Sequence, residues 1–149
     1  MSKVKEDDVF KFGQAQTGWG YGRVLIADLQ IYVEVLMPAY SSTPDQKEWE
    51  NQSRLLAGWT FDARICSDQW EIIDNVKASS PVVFPFYKVE SRGKIWITDV
   101  SGKLLREASD SEASTLDFKF TTAPIRFENA FWGFHTNKWS KSFDRISLI

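Results

Sequence analysis

The run Gly18-Trp19-Gly20-Tyr21-Gly22 leads directly into β-branched and apolar residues, and a second such run follows after only Asp28-Leu29-Gln30. Residues of this type fit a pleated surface, so Tyr21 to Ala27 and Ile31 to Met37 read as the two strands of an antiparallel hairpin. In the second strand Ile31, Val33 and Val35 alternate with Tyr32, Glu34 and Leu36, which turns one face toward a core. The three glycines, two residues apart, fall on one face of an extended chain. They leave a strip that a backbone or a bulky side chain can approach, or else mark a bulged strand start. The run is not a phosphate loop, because it lacks the Lys-Ser/Thr ending and opens a strand rather than a helix.

Around this hairpin the chain reads as β-rich. Val9 to Phe12 is a short alternating apolar segment before it, and the strand-like runs Thr60 to Cys66, Trp70 to Ile73, Val82 to Val89, Ile95 to Asp99, Leu104 to Arg106 and Leu116 to Phe120 follow it. Turn residues separate most of these runs, among them Ser67-Asp68, Asp74-Asn75, Ser91-Arg92-Gly93 and Ser101-Gly102. Pro85 makes Val82 to Val89 an edge strand or a broken one. Two helices are expected. Thr43-Pro44-Asp45-Gln46 has the order of N-cap, first-turn proline, acid and capping-box amide, so a helix should run from there to about Ala57 and stop at Gly58. Phe127, Ala130, Phe131 and Phe134 fall at helical spacing within Pro124 to Phe134, with Thr122 as the expected cap. The expected fold is α+β: a mostly antiparallel sheet or partial barrel with about two covering helices.

At 149 residues the chain is expected to form a single domain, residues 1–149, with an ordinary apolar content of 43%. No apolar run approaches the roughly 20 residues of a membrane helix. The charged start Met1-Ser2-Lys3-Val4-Lys5-Glu6-Asp7-Asp8 leads into no signal-like segment, and a lone Cys66 suits a reducing compartment, so a cytoplasmic location is expected. Net charge is −2, but residues 28–74 carry −6 and residues 107–118 carry −4, with +4 between them. Acid gathered in two segments suits a basic partner and disfavours nucleic acid as a direct ligand.

Candidate chemistry is sparse. His135 is the one histidine, with Asp144 or Cys66 as conceivable partners, and no His-x-x-x-His, Cys-x-x-Cys or Asp-x-Asp spacing suggests a metal. Neither a cofactor nor a catalytic residue is expected, and the chain is not read as an enzyme. The aromatic-basic stretch containing Lys138, Trp139, Lys141, Phe143 and Arg145 is the best place for single-stranded nucleic acid to stack. A small β-rich module taking a peptide or nucleic-acid strand there, or along Trp19 to Gly22, is the alternative function.

Three stretches together carry a resemblance. Lys11-Phe12-Gly13, then Gly20 to Leu25 and Ile31 to Val35, then Trp70 to Ile73 with Ile95 to Asp99 and Gly102 to Arg106, and finally Ala123 to Ala130, resemble the bacterial immunity protein 26 family over most of the chain. Members of that family are small cytoplasmic proteins that protect the producing cell by binding a polymorphic or contact-dependent toxin. The resemblance therefore implies a cognate toxin domain as partner, a nuclease being expected, and neutralisation by stoichiometric occlusion. It brings no interface residues with it. Charge and helix placement alone select Asp45, Glu48, Trp49 and Glu50 in the first acidic segment and Glu107, Asp110, Glu112 and Asp117 in the second as toxin-binding residues.

Overall fold

In the computed structural model, which describes residues 4–41 and 52–149, the glycine-rich run is the centre of a five-stranded antiparallel sheet. Strands β1 (Asp8–Gln14), β2 (Gly18–Ala27), β3 (Ile31–Leu36) and β4 (Arg54–Thr60) lie in the order β4-β3-β2-β1, and β5 (Glu71–Asn75) pairs with the free side of β1. The sheet is open. The fold is α+β with antiparallel sheets, as the alternation and turn residues led us to expect. All six residues of β3 are buried, so this strand is covered on both faces and not on one.

The glycines make room for rings. A Cβ at Gly20 would run into Phe12 and Phe131, and one at Gly22 into the Phe10 ring and the Glu34 carbonyl. The strip is thus filled by this chain's own side chains. Phe10 stacks flat on Trp70 at 4.4 Å between ring centroids, and Phe12 meets Phe131 edge-on at 5.1 Å. Phe131 comes from α3 (Pro124–His135), whose Phe127, Ala130 and Phe131 are completely buried. The aromatic spacing located this helix, but Thr122 does not cap it: Ala123 is the N-cap, and Pro124 starts the helix with its preset φ. A 3₁₀ helix (Lys141–Ile146) follows α3 and buries Phe143 and Ile146.

Two expected elements of the larger unit are corrected. Residues 54–57 do not belong to a helix ending at Gly58: Arg54–Thr60 is strand β4, in register with β3. Leu55 and Leu56 are both fully buried, which adjacent residues of a strand between two covered faces can be. The part of that helix over residues 43–51 lies outside the described residues. The expected strand Thr60 to Cys66 turns instead into the single-turn helix α1 (Ala63–Cys66).

The chain divides into two compact units, Met1–Ser80 with Thr121–Ile149, and Pro81–Phe120. The smaller unit is a three-stranded antiparallel sheet, β6 (Tyr87–Ser91), β7 (Lys94–Thr98) and β8 (Leu104–Glu107), in that order, together with helix α2 (Asp110–Thr115). Pro85 acts as expected: within Val82 to Val89 the strand begins only at Tyr87, and β6 is an edge. Leu116 to Phe120 forms no strand, only an isolated bridge from Phe118 to Lys88. No helix among the described residues is long and apolar enough to cross a membrane.

Candidate functional site

The second acidic segment lies wholly in the smaller unit. Glu107 ends β8, with Lys94 Nζ 3.7 Å from its carboxylate. Ser109 caps α2 by accepting the Glu112 backbone N–H, and the Glu112 carboxylate accepts the Ser109 N–H in return, a reciprocal capping box. Both oxygens of Glu112 also take the Arg106 guanidinium, at 2.8 and 2.5 Å. These bonds hold the Glu112 carboxyl at about 2, far below the usual carboxylate range, with Arg106 the larger cause and the Ser109 N–H next. Glu112 is therefore a structural anchor. Asp110 stands exposed in the first turn of α2, and Asp117, also exposed, follows the helix while its carbonyl accepts the Lys88 N–H at 2.9 Å.

Apolar side chains of the same unit also face solvent. Leu104 and Phe118 are each half exposed, and Phe86 more so. Phe86, Ile97, Leu105 and Leu116 line a shallow groove of about 260 Å³, with Arg106 and Glu112 at its polar end. Asp45, Glu48, Trp49 and Glu50, the other expected contacts, lie outside the described residues.

The larger unit has a second concave site, which reading the sequence missed except for Trp19. It is an open cleft of about 520 Å³ between the β1–β2 hairpin, α1 with the turn after it, the start of β5, and α3. Trp19 is held there by a two-way backbone pairing with Tyr40, at 2.7 and 2.9 Å. Glu128 and Trp132, one helical turn apart on α3, both line the cleft. Arg64 Nε lies 3.0 Å from Glu128 Oε2, and Trp70 Nε1 donates to the same oxygen at 3.0 Å. Arg64 also donates to Gln69 at 2.7 Å, and Asp68 and Glu71 complete the polar wall. The available signal was on α3: Glu128 and Trp132 sit beside the apolar stripe that covers the sheet.

The other singled-out residues are tied into the fold. His135 Nε2 meets the Met37 carbonyl at 2.6 Å, not Asp144 or Cys66, and its ring packs on Phe131. Trp139 donates to Asp144 at 2.8 Å and packs against Phe143, while Arg126 lies over the Phe143 ring. Those C-terminal aromatics pack on one another rather than form an open stacking platform. Among the described residues no group of three or more His, Cys, Asp or Glu is arranged to hold a metal ion. Comparison of the chain with family models, with curated proteins and with solved structures gives no match.

Proposed function

We propose that this protein is a cytoplasmic immunity protein that binds a cognate bacterial toxin domain and neutralises it by stoichiometric occlusion, without turnover. One observation carries the reading. In the smaller unit half-exposed Leu104 and Leu105 share strand β8 with the exposed acid Glu107, and half-exposed Phe118 follows the exposed acid Asp117 in the chain. Solvent-facing apolar side chains with a charged rim are the composition of a protein-binding face. The acids would meet the lysines and arginines of a nuclease's nucleic-acid cleft, speeding encounter and fixing register, while the apolar groups supply the desolvated centre. The resemblance to immunity protein 26 sequences supports a toxin as that partner.

Co-expression of the tagged protein with the reading frame immediately upstream in its genome tests the proposal. A 1:1 complex and rescue of growth are expected. Reversing Asp110, Asp117 and Glu107 to lysine together should then weaken the complex by at least about tenfold and flatten its salt dependence. Glu112 is left intact because it holds α2 in place. An unchanged affinity and salt dependence would remove the acidic face from the interface, and a neighbour that is neither toxic nor bound would overturn the immunity reading.

A further inference from the structure

The cleft in the larger unit is unused by the function proposed above, and its walls have a definite chemistry. Three carboxylates, Asp68, Glu71 and Glu128, line it against one guanidinium, Arg64, and two indoles, Trp19 and Trp132, border it. Arg64 is already committed to Glu128 and Gln69. The Trp70 hydrogen bond and the Arg64 ion pair both fall on Oε2, so the carboxylate, only 16% exposed, is held through one oxygen while Oε1 takes no hydrogen bond from the described residues. Two of the lining residues already hold a cation from a neighbouring position of β1. Lys11 Nζ lies 4.6 Å from the Trp19 ring centroid and 3.6 Å from Glu71, so an ammonium is held against an indole face and a carboxylate together.

The geometry points to a binding site for an arginine side chain presented by a basic polypeptide. A planar guanidinium has the donors to bond Glu128 Oε1 and Asp68 and a face to lay on an indole, whereas an anion would meet three carboxylates against the two cations Arg64 and Lys11. About 520 Å³ accommodates a long side chain and a short stretch of backbone. A neutral isostere fills the same space but lacks the charge. The inference is independent of the toxin reading, because it concerns the larger unit and is tested with a short peptide instead of a toxin.

The probe is acetyl-Gly-Arg-Gly-amide, with the citrulline peptide of the same shape as the neutral control, titrated into the full-length protein while the indole N–H resonances are followed by NMR. Saturable shifts of the Trp19 and Trp132 resonances are expected, with the citrulline peptide at least about tenfold weaker. Asp68→Asn combined with Glu71→Gln, both on the surface, should weaken the arginine peptide by about tenfold and leave the melting temperature unchanged. Glu128→Gln keeps the acceptor for Arg64 and Trp70 but loses the charge, so it should erase the preference for arginine over citrulline, a readout that a purely structural role for Glu128 would not move. Equal responses to the two peptides, shifts confined to other tryptophans, or a preference that survives all three substitutions would each overturn the assignment.

Discussion

Glu34 is the residue with the most to lose by substitution. It is fully buried in the middle of β3, with Arg23 Nη1 donating to one carboxylate oxygen at 2.7 Å and Arg54 Nε bonded to the other. Arg23 is itself buried, and among the described residues its Nε and Nη2 find no hydrogen-bond partner and Glu34 is the one carboxylate paired with its charge. Glu34→Ala is expected to destabilise the protein by about 3–5 kcal/mol, measured by urea denaturation, because it strands a buried guanidinium. The alternation of β3 is plain in the sequence, but the burial of Glu34 is not, since a polar residue in a strand reads first as solvent-facing. Gly22 teaches the opposite lesson. Its place in a glycine alternation announced a close approach, and Phe10 supplies it. Gly22→Ala should cost about 1–3 kcal/mol, read from the same denaturation midpoint, because the ring and the Glu34 carbonyl must both move.

Among the elements, β2, β3 and α3 were legible because their periodicity and turn residues are local. Arg54–Thr60 was not, since Arg-Leu-Leu-Ala has good helical propensity and only pairing with β3 makes it a strand. Helix α2 could have been found from Ser109-x-x-Glu112, the capping-box spacing that the structure uses. That helix carries a pH dependence with a definite sign. The Glu112 carboxyl is depressed from 4.5 to about 2 by the Arg106 guanidinium and the Ser109 N–H, so its contribution is fully present above 4.5 and is lost as pH falls through about 2. As pH falls between those values the protection of the Ser109 and Glu112 amides, measured relative to their intrinsic exchange rates, should decline progressively, and Glu112→Gln should abolish that decline.

The two units of the molecule differ in what holds them. In Pro81–Phe120 the buried hydrophobic side chains are Tyr87 and Ile97, while the larger unit buries the Phe10, Phe12, Trp70, Phe127 and Phe131 cluster. Stability follows buried apolar surface, so native-state hydrogen exchange should show β6 to β8 opening at lower free energy than β1 to β3. Binding at the acidic face should raise protection in the smaller unit selectively, because a partner that binds only the folded form stabilises it by mass action. By itself the sequence determined the antiparallel β2–β3 hairpin, the aromatic face of α3, the break at Pro85 and the acid of residues 107–118, all set by periods and turn chemistry within a few residues. Only the tertiary structure decided that residues 54–60 extend the sheet, that Glu112 is an anchor, and that Trp19, Arg64, Asp68, Glu71, Glu128 and Trp132 share one cleft. The reason is physical: hydrogen-bond pairing and concavity join residues far apart in the chain, and no local pattern records which distant segment will arrive to complete them.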